Sequence, residues 1–226
     1  MASHPHFELI GHRGAPRERV ENTLPGFLLA LERGADAVEL DVHVSEDGEV
    51  VVHHDHEVRG RRIASSSWAD LSGVDIGGAT IPRLADVLEA VADRATVYIE
   101  LKGVHIERAV LRVAEKHGRR YALHSFDHDA IERVKGLQPD VARGILLDRE
   151  TPRAGEVMRA AVERMRPRDV WPHWSLVDAA FMAAARALEL RVIPWTVNSK
   201  DTARDLANLN VDGICTDDVR VLTNLS

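Results

Sequence analysis

The chain has 226 residues, of which 45% are hydrophobic and 29% are charged, and its formal net charge is -7. The length indicates one large domain or two small ones. The hydrophobic fraction excludes an intrinsically disordered chain, and the single cysteine, Cys215, excludes a disulfide scaffold. The negative charge argues against a polyanion as partner, so we expect no binding of nucleic acid.

The sequence carries no segment typical of membrane proteins or exported proteins. No stretch approaches the ~20 apolar residues of a membrane-spanning helix, and the start, MASHPHFELIGHRG, lacks the apolar core of a signal peptide. Together with the single cysteine, this pattern predicts a cytoplasmic protein without a membrane span. No feature of the sequence indicates a particular oligomeric state.

Short apolar, β-branched runs alternate with helical patterns along the chain. The candidate strands are Phe7–His12, Ala37–His43, Glu49–His54, Thr96–Leu101, Tyr121–Phe126, Val141–Leu147, Asp169–Pro172, Arg191–Val197 and Gly213–Thr216. The helical patterns are Leu24–Arg33, Leu84–Ala92, Ile106–His117, Asp129–Leu137, Gly155–Arg164, Val177–Leu190 and Thr202–Asn208. Such alternation predicts a parallel α/β sheet.

One candidate strand, Glu49–His54, cannot run parallel to the strand before it. Only Ser-Glu-Asp-Gly-Glu separates Val44 from Val50, whereas a parallel crossover needs a dozen residues or more. The Asp-Gly pair instead predicts a hairpin with a two-residue type I′ turn, which places Asp41 opposite His54. Eight parallel strands remain, and they predict a TIM (β/α)8 barrel with a β-hairpin and a short insertion after strand 2. A doubly wound open sheet is the alternative.

Three acidic side chains lie near the carboxyl ends of two predicted strands, the end where barrel enzymes place their chemistry. Glu39 and Asp41 are two residues apart and so share a strand face, and Glu100 ends a neighbouring strand. Buried carboxylates at close range repel one another unless a positive charge lies among them. Oxygen ligands of this kind favour Mg²⁺ or Ca²⁺. The alternative is that one or more of them pairs with arginine.

Two histidines and two basic residues adjoin these carboxylates. His12 and His54 each end a strand, where two facing imidazoles can act as general base and general acid near neutral pH. Arg13 and Lys102 can bind a phosphate group, Arg13 through two parallel hydrogen bonds and Lys102 as a point charge. Alternatively, each is the salt-bridge partner of the neighbouring carboxylates.

Short motifs occur in order over nearly the whole chain, from about Ile10 to Leu222. They are GHRG (Gly11–Gly14), ENT (Glu21–Thr23), ELDV (Glu39–Val42), DG (Asp47, Gly48) with VVHHD (Val51–Asp55), IPRL (Ile81–Leu84), IELK (Ile99–Lys102), HSFD (His124–Asp127), WTVN (Trp195–Asn198) and DGICTD (Asp212–Asp217). This ordered set resembles the motifs of the glycerophosphodiester phosphodiesterase family. The resemblance implies a TIM barrel formed by a single domain, residues 1–226, in which residues 56–80 are a short insertion. It also implies a divalent cation and hydrolysis of small glycerophosphodiesters to glycerol 3-phosphate and an alcohol.

The resemblance also implies a role for each candidate residue. The acid–base pair is His12 and His54; the metal ligands are Glu39, Asp41 and Glu100; the substrate-binding residues are Arg13, Lys102, Trp195 and His124. Trp195 is interpreted either as a wall against the glycerol or as barrel packing. The reaction is expected to pass through a cyclic phosphate, with direct attack by water as the alternative.

Two other functions are compatible with the same residues. One is a phosphodiesterase that acts on lysophospholipids, a lysophospholipase D, although the sequence has no amphipathic anchor for a lipid surface. The other is a barrel that binds a phosphate ligand without catalysis. The presence of both histidines and all three acids argues against this second alternative, because binding alone needs no acid–base pair.

Overall fold

The computed structural model describes residues 7–222, in which nine strands form one sheet. These strands are β1 (Glu8–His12), β2 (Ala37–Val44), β3 (Val50–Val52), β6 (Thr96–Leu101), β7 (Tyr121–Ser125), β8 (Arg143–Leu147), β9 (Asp169–Pro172), β10 (Arg191–Val192) and β11 (Gly213–Thr216). A separate two-stranded sheet pairs β4 (Glu57–Val58) with β5 (Arg61–Arg62).

The strand order β10-β9-β8-β7-β6-β2-β1-β11 is that of a barrel whose seam lies between β10 and β11. Backbone hydrogen bonds join this seam, since Cys215 N donates to Pro194 O at 3.0 Å and Asp212 N donates to Val192 O at 2.9 Å. The eight strands in this order pair in parallel, and within this nine-stranded sheet β3 alone pairs antiparallel, with β2. The predicted barrel is therefore confirmed, and its alternative, an open sheet, is wrong.

Helices surround the barrel. They are α1 (Leu24–Glu32), α2 (Trp68–Leu71), α3 (Leu84–Val91), α4 (Glu107–His117), α5 (His128–Leu137), α6 (Ala154–Met165), α7 (Ala179–Ala187), α8 (Lys200–Asn208) and α9 (Val219–Leu222), with 3₁₀ turns at Ile63–Ser65 and Trp174–Leu176. None of the helices within residues 7–222 combines the length and apolar character needed to cross a membrane.

Local chemistry explains where the observed elements differ from the predicted ones. The seventh parallel strand stops at Val192, far short of the predicted Val197, since Pro194 has no N–H to offer a neighbouring strand. Helix α7 begins at Ala179 rather than at the predicted Val177. The Asp178 carboxylate accepts a hydrogen bond from Phe181 N at 2.7 Å and so caps the helix at this point.

A layer of apolar side chains fills the barrel beneath the carboxyl ends of its strands. It consists of Ile10, Ala37, Tyr98, Ala122, Leu146, Trp171, Ile193 and Cys215. Tyr98 and Trp171, the largest of these, pack edge to face with ring centroids 4.9 Å apart. Because residues two apart share a strand face, the side chains next along these strands lie above this layer. Those residues include Glu39, Glu100 and His124.

The β2–β3 hairpin differs from its prediction by one residue of register. The pairs are Val42 with Val52 and Val44 with Val50, and Gly48 adopts a left-handed φ of 88°. The loop therefore has three residues, 46–48, rather than a two-residue type I′ turn. The Asp47 carboxylate accepts hydrogen bonds from Ser45 Oγ at 2.6 Å and from Trp68 N at 3.0 Å, which stabilises the wider loop.

The register change corrects the predicted partner of Asp41. Asp41 lies opposite His53 rather than His54, and His53 N donates to Asp41 O at 3.0 Å. His54 thus follows the end of the paired segment. The insertion after it, residues 56–80, has its own apolar cluster, which consists of Val51, Val58, Ile63, Leu71 and Ile81. Because Val51 lies on β3, this cluster packs the insertion against the hairpin.

Candidate active site

The loop after β1 turns sharply and directs Arg13 toward two carboxylates. Arg13 and Gly14 have φ angles of 53° and 89°, and a Cβ on Gly14 would lie 2.7 Å from the carbonyl carbon of Gly26. Only glycine fits this second position without strain. Arg13 N donates to Glu39 Oε2 at 3.1 Å, and Arg13 Nε lies 3.1 Å from Asp41 Oδ2.

The ENT motif, Glu21–Thr23, forms hydrogen bonds with both members of the Arg13–Asp41 ion pair. Asn22 Nδ2 donates to Asp41 Oδ2 at 2.9 Å, while Asn22 Oδ1 accepts from Asp41 N at 3.3 Å. Glu21 accepts from Arg13 at 3.0 Å. Burial would raise the pKa of Asp41, but the positive charge of Arg13 and the Asn22 hydrogen bond outweigh it and lower that pKa. Asp41 is therefore a carboxylate.

Glu39, Glu100 and His124 form a buried cluster in which one ligand atom from each residue lies within 4.8 Å of the others. His124 Nε2 lies 3.6 Å from Glu39 Oε1, yet neither ring nitrogen of His124 has a hydrogen-bond partner in the described chain. Asp41 Oδ1 is similarly buried and has no hydrogen-bond partner in the described chain. Unpaired polar atoms of this kind are costly to bury, and a cation bound among them would satisfy the oxygens. The residues present therefore fit a divalent cation.

The same cluster leaves Glu100 in an unfavourable environment in the absence of a cation. Burial, followed by the negative charge of Asp41, raises the pKa of Glu100 to about 8. Lys102 Nζ lies 3.1 Å from Glu100 and 3.8 Å from Asp41, and offsets only part of this effect. The site thus contains more negative charge than its own side chains neutralise.

The two predicted catalytic histidines have the same local arrangement. Nδ1 of His12 lies 2.7 Å from Oδ1 of Asp217, and Nδ1 of His54 lies 2.8 Å from Oδ1 of Asp55. A carboxylate on Nδ1 fixes the tautomer and leaves Nε2 for proton transfer. Burial would lower the pKa of His12, but the hydrogen bond to Asp217 and the charge of Glu39 outweigh it and raise that pKa.

These side chains surround a pocket of about 190 Å³ with one polar side and one apolar side. The polar side consists of His12, Arg13, Glu39, His54, Glu100, Lys102 and His124, and the apolar side consists of Phe126, Leu146, Trp171, Trp195 and Cys215. Trp195 Nε1 donates to Trp171 O at 2.9 Å, and the Trp195 ring meets Phe126 edge-on at 5.4 Å. All predicted site residues except Asp41 line this pocket; Asp41 contacts Arg13 beside it.

One residue with no predicted role, Asp217, contacts a candidate catalytic group. Its second oxygen accepts from Asn198 Nδ2 at 2.7 Å, and Asp217 N donates to Asn198 Oδ1 at 2.9 Å, so Asn198 holds it in place. The signal in the sequence was an acidic residue directly after the last strand. Parallel pairing of Gly11 with Thr216 brings that position beside His12.

Comparison with known proteins shows which family has these features. The sequence model of the Glycerophosphoryl diester phosphodiesterase family matches residues 12–221. The chain belongs to this family. A glycerophosphodiester phosphodiesterase of Caldanaerobacter subterraneus subsp. tengcongensis is 29% identical to it over 238 residues, which cover 96% of each chain. The predicted resemblance and the expectation of a phosphodiester-hydrolysing enzyme are confirmed.

Solved structures show the same similarity at the level of the fold. A crystal structure of the glycerophosphodiester phosphodiesterase of Thermotoga maritima has a TM-score of 0.87 and 29% identity, and the match covers 99% of this chain and 100% of that one. A phosphodiesterase of Oleispira antarctica, solved in complex with the product sn-glycerol-3-phosphate, has a TM-score of 0.86 and 26% identity, with 94% of each chain covered. The family is metal-dependent, which agrees with the buried cluster.

Asp217→Asn is expected to lower kcat/KM at least about tenfold, because the variant loses the charge that fixes and supports a protonated His12. Since Asp217 raises the pKa of His12, the limb of the pH–rate profile that His12 controls should move to lower pH. Steady-state kinetics from pH 5 to 9 measure both effects. The neighbouring Asp218→Asn is the control, and an unshifted profile in Asp217→Asn would contradict the positioning role.

Proposed function

We propose that the enzyme hydrolyses glycerophosphodiesters to glycerol 3-phosphate and an alcohol by acid–base catalysis with His12 and His54. The observation that supports this proposal is the pair of imidazoles, each with a carboxylate on Nδ1, beside the buried acidic cluster. The Oleispira relative, whose structure contains sn-glycerol-3-phosphate, supports the choice of product. We set aside the alternative of a barrel that binds a phosphate ligand without catalysis, because binding alone needs no acid–base pair.

In the proposed mechanism, one histidine accepts the proton of the glycerol 2-hydroxyl group, whose oxygen attacks phosphorus in line with the leaving alcohol. The other histidine donates a proton to the departing oxygen. Water then opens the resulting cyclic phosphate with the two roles reversed. Arg13 and Lys102 stabilise the negative charge that develops on the phosphoryl oxygens. Trp195 packs against the glycerol carbons.

We propose that Glu39, Asp41 and Glu100 hold the divalent cation, either Mg²⁺ or Ca²⁺. Three carboxylates suit these hard cations, and the absence of a hydrogen-bond partner for the buried Asp41 Oδ1 supports the inclusion of Asp41. When bound, the cation supplies positive charge next to the phosphoryl group. Because Mg²⁺ and Ca²⁺ prefer oxygen ligands to imidazole, we assign His124 to the substrate, as a hydrogen-bond donor to a phosphate oxygen.

His124→Gln separates these two roles. A lost hydrogen bond to a charged group should raise the KM for a glycerophosphodiester about tenfold. The concentration of Mg²⁺ that gives half-maximal activity should stay unchanged. Titrations of substrate and of Mg²⁺ on the same preparations measure the KM and the metal requirement, and His128→Gln is the control. A raised metal requirement with an unchanged KM would instead make His124 a ligand.

Release of glycerol 3-phosphate from glycerophosphocholine tests the proposed reaction. The enzyme should produce glycerol 3-phosphate and choline in equal amounts, measured by a coupled dehydrogenase assay and by ³¹P NMR. Choline phosphate as the product would contradict the proposal, because it would place the cleavage at the other phosphoester bond.

Lysophospholipase D activity is the second candidate. It is favoured by two exposed aromatic side chains near the pocket, Phe126 and Trp174, of which Phe126 packs on Trp195. Lysophosphatidylcholine distinguishes the two candidates, since the first predicts that glycerophosphocholine is hydrolysed faster at equal concentration.

The location and partners of the enzyme belong to the same proposal. We propose that it acts as a single domain in the cytoplasm on small glycerophosphodiesters, without a nucleic-acid partner. The single cysteine and the net charge of -7 support these assignments.

A further inference from the structure

A second cavity, of about 430 Å³, lies between the insertion and the segment that joins β6 to α4. Its polar lining consists of His43, His56, Arg62, Lys102 and His105, and its apolar lining includes Val44, Ile106 and Ala109. No carboxylate and no phenylalanine, tyrosine or tryptophan is among the residues that line it. A volume of this size is within the range of small-molecule sites.

The charged groups of this cavity are positive. Arg62 is exposed. Its cross-strand partner on β4 is Glu57, but the described chain shows no ion pair between their side chains. His56 Nε2 lies 3.9 Å from Glu57 Oε1, a carboxylate that does not line the cavity. Lys102 also lines the cavity, but its Nζ pairs with Glu100 at 3.1 Å on the active-site side. The cavity therefore offers a favourable site for an anion.

The cavity adjoins the active-site pocket. Lys102 lines both of them, and His43 Nε2 lies 3.1 Å from the backbone oxygen of His54, one of the proposed catalytic residues. Trp195, which we place against the glycerol, follows β10, four places from β6 in the strand order. The glycerol side of the pocket and the second cavity are thus on opposite sides of the barrel.

In-line displacement at phosphorus places the attacking and leaving oxygens on opposite sides. Glycerol held near Trp195 therefore directs the leaving alcohol toward Lys102 and His54, and so toward the second cavity. A quaternary ammonium group would find neither an aromatic face nor a carboxylate there. An alcohol with an additional negative charge would find the guanidinium group of Arg62.

We propose that this cavity is a leaving-group subsite, and that the enzyme prefers glycerophosphodiesters whose alcohol carries a second anionic group, such as a phosphorylated polyol. This inference rests on the proposed function and specifies its substrate class. The insertion takes part in recognition through Arg62 and His56, which come from residues that contribute nothing to the barrel.

Glycerophosphoinositol and glycerophosphoinositol 4-phosphate differ only in the second phosphate and form the matched pair of substrates. The phosphorylated compound should have a kcat/KM about fivefold higher at low ionic strength, the effect of about 1 kcal/mol for a partly exposed ion pair. The preference should shrink at high salt. Arg62→Gln should bring the ratio close to one.

Arg61→Gln is the matched control. Arg61 neighbours Arg62 on β5, but its guanidinium donates to Asp70 O at 3.2 Å and does not line the cavity, so the ratio should not change. Equal kcat/KM for the two substrates, or a preference that survives Arg62→Gln, would overturn the subsite and leave the proposed function intact. Failure to hydrolyse these two substrates and glycerophosphocholine would overturn the proposed function, and this inference with it.

Discussion

Replacement of His12 or His54 with alanine is expected to lower kcat/KM for glycerophosphocholine by at least ~10²-fold, the usual contribution of a positioned acid or base. Each imidazole has its Nδ1 on a carboxylate, Asp217 or Asp55, which leaves Nε2 for the proton. An alanine at either position removes the proposed proton carrier and leaves Arg13, the proposed phosphate-binding residue, in place.

The double variant tests whether the two histidines act as a unit. Residues that take part in one proton-transfer sequence have effects that do not add, so the loss in the double variant should be close to that of the worse single variant. His53→Ala is the control for His54→Ala, because His53 is its neighbour and does not line the pocket. A wild-type rate in either single variant would remove that histidine from the mechanism.

Glu100→Gln is expected to lower activity at least ~10²-fold and to stabilise the cation-free protein. The loss of activity follows from the removal of a proposed ligand. The stabilisation follows from the raised pKa of Glu100, about 8 against an ordinary value of 4.5. Between these pH values the folded state retains a proton that the unfolded chain has released, so stability falls as pH rises through that window. Glutamine does not titrate, so the stability of the variant lacks this dependence on pH.

Thermal unfolding of chelated protein at pH 8 measures the effect on stability. A gain of about 1 kcal/mol corresponds to an increase in Tm of about 2–4 °C for a chain of this size. Added Mg²⁺ or Ca²⁺ should raise the Tm of the wild type and have little effect on the variant. The exposed Glu115→Gln is the control. A variant less stable than the wild type, with full activity, would contradict the role of Glu100.

The barrel was predictable because its signals are local. Apolar runs, the helical patterns between them and the short Val44–Val50 connection indicate eight parallel strands and one hairpin. The hairpin register was not predictable in the same way. The Asp47 carboxylate accepts a hydrogen bond from Trp68 N, which lies 21 positions further along the sequence. This long-range hydrogen bond favours a three-residue loop over the type I′ turn.

The site was predictable to the extent that it depends on strand ends. His12 ends β1 and pairs with Glu39 on β2, and Glu100 lies one residue before the end of β6, so these side chains converge at one end of the barrel. The role of Asp217 was harder to predict. Its contact with His12 requires knowledge that the first strand, β1, pairs with the last strand, β11. The imidazole of His124 also meets the ring of Trp171 edge-on at 4.4 Å, and no local sequence pattern predicts such a contact.

The release of glycerol 3-phosphate from glycerophosphocholine, with and without chelator, tests the central claim most directly. We expect hydrolysis that thorough chelation abolishes and that added Mg²⁺ or Ca²⁺ restores, with the better ion identifying the cofactor. Added Mg²⁺ or Ca²⁺ should not restore hydrolysis in the Glu100→Gln variant. Unchanged hydrolysis after thorough chelation would contradict a catalytic site built from Glu39, Asp41 and Glu100 around a divalent cation.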